Sequence, residues 1–506
     1  MMKKRVKQGS AILLALAVAL SIFVLPGVWA ASAIDVDRKD CSVEFSVGGE
    51  YKELNTNDLS VKLYRVASVD KAGAYTPVGD FSGLDLSALS RENKDSAAEW
   101  LTRAQAAEDM VTANTAVAAD PTIKNGKAAV KNLETGLYLV SVEQLVTSNY
   151  VYTFTPYLIS LPNNYYSGEG TSDAWVYKLT GDNAIGLKPE QQQRTGDLII
   201  HKTLKNQNTT FGDKATFVFQ IDITNGDKKE SKVEALTFDK VGDQSVHLTG
   251  LPAGAVVKVT EVYSGASYDL KSDNGVETVI KANDEYSQAD APVAEVSFVN
   301  DVNDSTNGGY GVINHFELND KGLCDIAEVR YKEGCQMRKL HKKPLVLAAA
   351  AIALTGSLTV GSAMAYFTTY ATAGGGVKMN MGFTTTVPDE KIDEKGKHVT
   401  IINKGDYDCF VRVKAFAPVA LTYLAPDGGW QAGDDGYWYY ESVLPAGEPT
   451  KQELNISYQF PSGDGKASEF NVVVIQECTP VLFDENGNAY ADWNHAVTAD
   501  SGDTQE

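Results

Sequence analysis

Three predicted β-strands each end an apolar row in a side chain that is capable of amide chemistry. The strands lie in GDLIIHKTL, AVVKVTEVYSG and AEVSFVNDV, and because side chains alternate between the two faces of a strand, each row shares one face. The rows are Leu198, Ile200 and Lys202; Val257, Val259 and Glu261; and Val296, Phe298 and Asn300. A lysine, a carboxylate and a carboxamide on inward rows are costly to bury unless they pair with one another. The spacing therefore predicts that Lys202, Glu261 and Asn300 meet inside one domain.

Burial would change the protonation of the lysine and the glutamate. An apolar pocket disfavours charge, so the Lys202 amine becomes neutral and nucleophilic while Glu261 stays protonated. The alternative is a surface Lys202, a strand-edge Glu261 and a turn Asn300.

This arrangement resembles the pilin isopeptide-linkage domain, which is related to the collagen-adhesin B-type modules. The resemblance implies a spontaneous amide between Lys202 and Asn300 that forms once per molecule, as a maturation step assisted by Glu261. In that reaction the protonated carboxyl can donate a hydrogen bond that polarises the Asn300 carbonyl, and it can transfer protons as ammonia leaves. The resemblance extends over residues 35–316, because the first part of this range resembles the amino-terminal domain of Gram-positive sortase-assembled pilins. That second resemblance lies in the order of VKLYRVA, a helix, GLYLV, FTPYLISLPN and the WVY run. The implied fold is a tandem pair of immunoglobulin-like, collagen-adhesin B-type β-sandwiches, the first with one inserted helix.

The same resemblance implies that other pilin subunits are partners of this chain. In such pilins a lysine just after the first domain can be joined to the next subunit. Lys178, at the end of WVYK, and Lys188, before Pro189, are the candidate polymerisation lysines. The order at Lys188 is the reverse of the expected proline then lysine, and plain solvated lysines are the alternative.

Strand-length runs of Val, Ile, Leu and Tyr, separated by Gly, Pro and Asn, predict a mainly β chain. Apolar residues at helical spacing predict one helix at 95–112. The polar, proline-containing segment 187–195 is predicted to be a linker. The other predicted segments are a signal peptide at 1–33, a β domain at 35–186, a β-sandwich at 196–302, a spacer at 303–336, a signal-like or transmembrane segment at 337–365, a jelly-roll-like β-sandwich at 366–495 and an acidic tail at 496–506.

An export-like pattern lies at 337–365, inside the chain. The basic stretch RKLHKK precedes the apolar run LVLAAAAIALTGSLTV and the small-x-small triplet AMA, which is the order of a secretory signal peptide and also the order at 1–33. Two export signals, each followed by a globular region, suggest two neighbouring secreted proteins read as one chain. The alternative is an internal apolar helix that crosses the membrane at 344–365, because that segment is long enough to span a bilayer.

The region after this segment resembles the TasA/camelysin family. The junction AMAYFTTYATA, an Asn-x-Gly turn, the strand FVRVKA and a Trp/Tyr-rich strand carry the resemblance over residues 337–493. It implies a secreted, jelly-roll-like protein of biofilm matrix fibres, with other matrix subunits as partners. Members of that family assemble by donating a freed amino-terminal strand, which here would begin after Ala365.

Charge and cysteine content agree with an exported chain. The net charge of −21 and the pI of about 4.8 argue against a nucleic-acid partner. We expect an extracellular or cell-surface location, with the membrane as a partner through 344–365 where that segment is uncleaved. Among five cysteines, the plausible disulfides are Cys324 with Cys335 and Cys409 with Cys478, and reduced core cysteines are the alternative.

Known catalytic motifs do not occur in the sequence. There is no H-E-x-x-H, G-x-S-x-G, P-loop or dinucleotide fingerprint, and the six histidines lack metal spacing. We therefore expect no enzyme activity, no metal site and no cofactor. The predicted function is that of an extracellular structural and adhesive surface protein. The alternatives are a secreted camelysin-like metallopeptidase and an adhesin that binds a host or matrix ligand.

Overall fold

The computed structural model is mainly β, as the sequence predicts. It describes residues 33–89, 96–163, 175–208, 214–303, 305, 307–318, 324–330, 386–393, 396–458 and 469–494. The predicted signal peptide up to residue 32, the segment at 337–365 and the acidic tail at 496–506 lie outside these ranges. The chain divides into two compact units, Met1–Arg194 and Thr195–Glu506. Within the described ranges, no helix is long and apolar enough to cross a membrane.

The first unit is a set of small sheets with one long helix. Its elements are β1 (Cys41–Val47), α1 (Lys52–Thr56), β2 (Leu59–Val69), β3 (Tyr75–Pro77), 3-10 turns at Gly79–Phe81 and Ser87–Leu89, α2 (Ser96–Met110), β4 (Thr122–Ile123), β5 (Lys127–Leu133), β6 (Gly136–Val142), β7 (Leu145–Val146), β8 (Tyr150–Phe154), β9 (Tyr157–Leu161), β10 (Lys178–Leu179), a 3-10 turn at Gly181–Asn183, β11 (Ile185–Leu187) and β12 (Pro189–Gln193). One sheet has the order β3-β2-β6-β9, with β4 also paired to β2. A second has the order β10-β1-β11, with β5 also paired to β1, and a third has the order β12-β8-β7.

Helix α2 is the inserted helix of the first unit, and it covers one face of the β2–β6–β9 sheet. Ala104 and Ala107 of the helix are fully buried against Leu137 and Leu139 of β6. The small alanines allow the helix to approach the sheet closely, because no longer side chain separates the two backbones. The apolar stripe of the helix is therefore part of the core.

Residues 187–195, expected to be a linker, contain strand β12 instead. This strand pairs antiparallel with β8, from Pro189 opposite Phe154 to Gln193 opposite Tyr150. The glutamines suggested a linker because they are polar. An edge strand can also carry polar side chains, since much of its surface faces water. Backbone pairing with β8, which no local pattern reveals, decided the structure.

The second unit begins with a β-sandwich made of two four-stranded sheets. Its strands are β13 (Thr195–Leu204), β14 (Ala215–Asn225), β15 (Lys228–Phe238), β16 (Gly242–Pro252), β17 (Val256–Tyr263), β18 (Tyr268–Leu270), β19 (Val276–Val279) and β20 (Ala294–Val302). The sheets have the orders β16-β13-β20-β18 and β15-β14-β17-β19. Alternating apolar side chains from both sheets form one continuous core. We call this part, residues 195–302, the middle sandwich.

A second sandwich, which we call the C-terminal sandwich, completes this unit. Its strands are β21 (Gly308–Leu318), β22 (Cys324–Arg330), β23 (Thr386–Asp393), β24 (Gly396–Asn403), β25 (Cys409–Phe416), β26 (Leu421–Leu424), β27 (Trp430–Ala432), β28 (Trp438–Tyr440), β29 (Leu454–Tyr458) and β30 (Glu469–Pro480), followed by the hairpin β31 (Leu482–Phe483) and β32 (Ala489–Tyr490). One sheet has the order β22-β21-β30-β25-β28-β27, and the other has the order β23-β24-β29-β26.

Residues 303–336, expected to be a spacer, supply two strands of the C-terminal sandwich. Strand β21 pairs antiparallel with both β22 and β30. The stretch GGYGVINHF in this segment allowed either a short closing strand or a tail motif, because glycine weakens a strand that stands alone. Pairing with β30, more than 150 positions downstream, overrides that local preference.

We predict that the middle sandwich depends on its inner face for stability. Leu198→Ala removes a fully buried side chain of β13, and it should lower the free energy of unfolding by about 2–5 kcal/mol. Val256→Ala changes a residue of β17 that is 43% exposed, and it should change stability by no more than about 0.5 kcal/mol. Urea unfolding of both variants, followed by a probe in the second unit, checks the difference. Equal losses would show that the faces are assigned wrongly.

Candidate functional site: a buried lysine, glutamate and asparagine

Lys202, Glu261 and Asn300 meet inside the middle sandwich, as the alternation of the strands predicts. Lys202 lies on β13, which runs parallel to its neighbour β20, with Phe298 opposite Lys202 and Asn300 opposite Leu204. Lys202 and Asn300 are therefore diagonal neighbours on the same inner face. Glu261 comes from β17 in the facing sheet. The three side chains thus bridge both sheets of the sandwich.

The three side chains are hydrogen bonded to one another and closed off from water. Lys202 and Asn300 have no exposed surface, and Glu261 is 4% exposed. The Lys202 Nζ donates to Glu261 Oε2 and to Asn300 Oδ1. The Asn300 Nδ2 donates to Glu261 Oε1 at 2.6 Å and to the Ser264 carbonyl at 3.2 Å. This mutual pairing is what makes the burial of the charged groups tolerable.

Aromatic rings form the wall around the lysine amine. The Lys202 Nζ lies 4.3 Å from the centroid of the Phe217 ring and 5.7 Å from that of Phe219. Phe219 packs in turn on Phe298, with ring centroids 5.2 Å apart. Burial lowers the pKa of Lys202 to about 8, although the neighbouring Glu261 carboxylate acts in the opposite direction. The environment therefore makes the neutral, nucleophilic amine more accessible near neutral pH than it is in an ordinary lysine.

A β-bulge and an asparagine fix the position of Glu261. The pairing of β14 with β17 shifts register at this point, with Phe219 opposite Glu261 and Val218 opposite Tyr263. The Asn274 side chain brackets the Glu261 backbone: its Oδ1 accepts from the Glu261 N–H at 2.8 Å, and its Nδ2 donates to the Glu261 carbonyl at 3.0 Å. Asn274 lies in a Ser-Asp-Asn-Gly turn, and no sequence signal beyond that turn pattern identifies it as a support for the site.

The geometry supports formation of an amide between Lys202 and Asn300. Attack by Nζ on the Asn300 Cγ forms the Nζ–Cγ bond, breaks the Cγ–Nδ2 bond and releases one molecule of ammonia. Glu261 touches the amine with one oxygen and the departing nitrogen with the other, so it can take a proton from the first and give one to the second. The sequence also assigned it polarisation of the Asn300 carbonyl, but here the carbonyl oxygen accepts from Lys202.

The two candidate polymerisation lysines lie outside this site. Lys178 on β10 and Lys188 beside β12 are both exposed, and the Lys178 Nζ lies 4.0 Å from the Asp40 carboxylate. An acceptor lysine must be exposed, but a plain solvated lysine is exposed as well. Their role in joining subunits therefore stays a prediction.

The cysteine pairing expected in the C-terminal sandwich is not formed. Cys409 on β25 and Cys478 on β30 are both buried and carry thiols rather than a disulfide. Val411 lies opposite Cys478, so the two cysteines are diagonal neighbours, and diagonal Cα atoms in an antiparallel pair are farther apart than a disulfide usually spans. Burial raises the pKa of the Cys409 thiol well above its ordinary value. The Cys324 side chain and Cys335 lie outside the described residues.

Histidines and acidic residues form no metal-binding cluster in the described ranges. His201, His247 and His398 each lie 3.3 Å from a single carboxylate, of Glu295, Asp197 and Glu453 respectively. Each of these contacts joins one imidazole nitrogen to one carboxylate oxygen at a partly exposed position.

Comparison with known proteins identifies a family match over the middle sandwich. Residues 198–303 match a family described as a domain of unknown function, DUF5979. This range contains all three site residues. No curated protein matches the chain.

Several solved structures are similar to parts of the chain. The Bacillus anthracis TIE protein is 13% identical with a TM-score of 0.24, and the match covers 57% of this chain and 41% of that one. The minor pilin GBS52 of Streptococcus agalactiae is 14% identical with a TM-score of 0.17, covering 52% of this chain and 96% of that one. The major pilin SpaA of Corynebacterium diphtheriae is 12% identical with a TM-score of 0.18, covering 51% of this chain and all of that one. Scores this low carry no argument about function.

We predict that amide formation slows down in alkaline solution. The reactive state of the Lys202–Glu261 pair holds one proton, because the amine must be neutral while the carboxyl is protonated. Above the Lys202 pKa of about 8 that proton is lost, so the rate should fall by about tenfold per pH unit well above pH 8. The test uses protein that was synthesised and kept in denaturant and is then refolded at each pH. Mass spectrometry measures the loss of mass against time after refolding begins.

A rate that rises through pH 8 would contradict this assignment. It would show that the neutral amine alone limits the reaction and that the carboxyl proton is not required. Refolding itself can be followed in the same samples by tryptophan fluorescence, so that a slow folding step at one pH is distinguished from slow chemistry.

Proposed function

We propose that this chain is a load-bearing subunit of an extracellular surface structure, locked by an amide between Lys202 and Asn300. The observation that carries the proposal is the closed triad of Lys202, Glu261 and Asn300, each buried and each in contact with the other two. The export pattern at 1–33 supports a location outside the cell.

The position of the triad explains how the amide would carry load. Strand β13 opens the middle sandwich, and β20 closes it beside β13. A force entering at Thr195 passes to Lys202, crosses the amide to Asn300 and leaves at Val302. The fold between these two residues is bypassed, so it does not have to resist the force through hydrogen bonds alone.

The amide would also stabilise the sandwich in the absence of force. Closing a loop of about 100 residues removes conformational entropy from the unfolded chain, and by analogy with disulfides this is worth about 4–5 kcal/mol. A subunit outside the cell benefits from such a bond because it is exposed to proteases. Unlike a disulfide, an amide is also insensitive to reducing agents.

Intact-mass and peptide analysis of the secreted protein tests the cross-link. We expect a mass about 17 Da below that of the sequence, from one ammonia lost, and a branched peptide that joins Lys202 to Asn300. Asn300→Ala should restore the full mass, because no carboxamide remains to react. Asn303→Ala is the matched control, since Asn303 lies on the same chain segment outside the triad, and it should keep the loss of mass.

An unbranched Lys202 peptide from the folded parent protein would overturn the cross-link. Glu261→Gln gives a further check, because glutamine can fill the same space but cannot carry the protons. This variant should fold normally. It should form the amide much more slowly than the parent, or not at all.

Single-molecule stretching tests the load-bearing role itself. The chain from Lys202 to Asn300 is roughly 34 nm long at about 3.5 Å per residue, and the amide should keep this length from extending. The Asn300→Ala variant should therefore show an added extension close to that length, while Asn303→Ala should not. Equal extensions in the parent and Asn300→Ala would contradict the role, even where the mass analysis shows the bond.

A further inference from the structure

A strand from before the export-like segment completes a sheet made from residues after it. Strand β21 pairs with β30 from Gly308 opposite Cys478 to Glu317 opposite Glu469. In the order β22-β21-β30-β25, both β21 and β30 are interior strands. Without β21, the long strand β30 would be an edge with unpaired backbone N–H and C=O groups. The C-terminal sandwich is therefore incomplete without residues that precede the segment at 337–365.

Apolar contacts join the two sandwiches along the same strand. Val473 and Ile475 of β30 have no exposed surface, and they are buried in one cluster with side chains from the outer face of the middle sandwich. Those side chains are Val218, Val233, Ala235 and Tyr263. An exposed apolar patch of this kind would be unfavourable on either sandwich alone.

A buried carboxylate links the two sandwiches through hydrogen bonds. Glu477 is 2% exposed, and its Oε1 accepts from the Tyr263 hydroxyl at 2.9 Å and from the Tyr437 hydroxyl at 3.1 Å. Its Oε2 accepts from the Arg412 guanidinium, with Nε at 2.7 Å. Arg412 neutralises the buried charge within the C-terminal sandwich, and Tyr263 supplies the additional donor from the middle sandwich. Removing Tyr263 would leave part of a buried carboxylate unsatisfied.

Two further hydrogen bonds join residues before the export-like segment to residues after it. The Asn471 Nδ2 donates to the Val233 carbonyl of the middle sandwich at 2.8 Å, and the Nδ2 of Asn307, directly before β21, donates to the Trp493 carbonyl at 2.7 Å. Each bond pairs a backbone carbonyl on one side of that segment with a side chain amide on the other side. Such directional contacts fix the orientation of the two parts relative to each other, which apolar burial alone does not.

Glycines in β21 allow the two sandwiches to approach each other. A Cβ on Gly311 would lie 2.5 Å from the Ile475 Cδ1 and 2.7 Å from the Thr216 Cγ2. A Cβ on Gly309 would lie 2.8 Å from the Tyr263 hydroxyl oxygen. Strand β21 thus lies in a narrow space between the middle sandwich and β30, which only residues without a side chain can occupy at these two positions.

We propose that strand β21 and the outer face of the middle sandwich form a docking surface for the part of the C-terminal sandwich that follows the export-like segment, and that the two parts stay bound as separate polypeptides after a cut between 331 and 385. The occupant is strands β23 to β32 of the same chain. The contacts that hold it are the β21–β30 ladder, the apolar cluster and the Glu477 hydrogen bonds, none of which runs through the cut region. Processing at the export-like segment would then yield a two-chain complex rather than two independent proteins.

A protease recognition sequence inserted after Gln336 tests this proposal on the full chain. The protein is purified in mild detergent because of the apolar run, cut after folding and passed over a size-exclusion column at micromolar concentration. We expect fragments 1–336 and 337–506 to elute together and to separate only in denaturant. Elution as two separate species would overturn the proposal.

Matched glycine variants tie the result to β21. Gly311→Val should weaken the association of the cut fragments by about tenfold to a hundredfold, because the added side chain cannot be accommodated. Gly186→Val is the control: this strand glycine has no atom within 4 Å of a built Cβ, and the fragments should stay together. Equal binding by both variants would show that the β21 position is not the docking site.

Hydrogen exchange on the uncut chain gives an independent reading. The backbone amides of β21 and β30 should exchange slowly, and they should exchange faster in Gly311→Val. Fast exchange in the parent protein, or protection of residues 366–385 in place of β21, would overturn the proposal. Peptide mass analysis of the same samples reports the Lys202–Asn300 amide separately, so a failure of docking is distinguishable from a failure of the cross-link.

Discussion

The burial of a lysine amine between two sheets is the constraint on which the middle sandwich depends. An ammonium group cannot remain in an apolar core without partners, so the fold must bring a carboxyl and a carboxamide to it from two other strands. The parallel pairing of β13 with β20 and the position of β17 in the facing sheet meet that requirement. The phenylalanine rings around the amine then exclude water and favour its neutral form. Before any reaction, the three groups already hold both sheets together, and an amide would make that contact permanent.

One β-bulge in strand β17 places two nearby side chains on opposite faces of the sheet in the middle sandwich. Because the register of β14 and β17 shifts between Val218 and Phe219, Glu261 points into the core while Tyr263 joins the cluster on the outer face. A regular strand would place residues two positions apart on the same face. The bulge therefore lets one short strand contribute Glu261 to the buried triad, where it would assist the proposed amide, and Tyr263 as a hydrogen-bond donor to the C-terminal sandwich. A change in the bulge would affect both.

Strand addition and the proposed amide would solve the same mechanical problem in different ways. The amide would close the middle sandwich through side chain chemistry, whereas the C-terminal sandwich is completed by a strand that is distant in sequence. The two meet at residues 303–318, directly after the proposed amide. Force leaving the middle sandwich at Val302 would therefore enter β21 at once, and the β21–β30 ladder would receive it.

The amino-acid sequence by itself determined the mainly β architecture and the three residues of the triad, because alternation along a strand is a local property that needs no knowledge of the partner strand. Helix α2 was predictable for the same reason, from apolar residues at helical spacing. Only the tertiary structure decided that the polar residues 189–193 form a strand, that β21 belongs to the C-terminal sandwich, and that Asn274 and Ser264 support the triad. Those features depend on backbone pairing and close approach between segments far apart in the chain. A single sequence carries no local signal for such contacts, because their free energy arises only when both partners are folded.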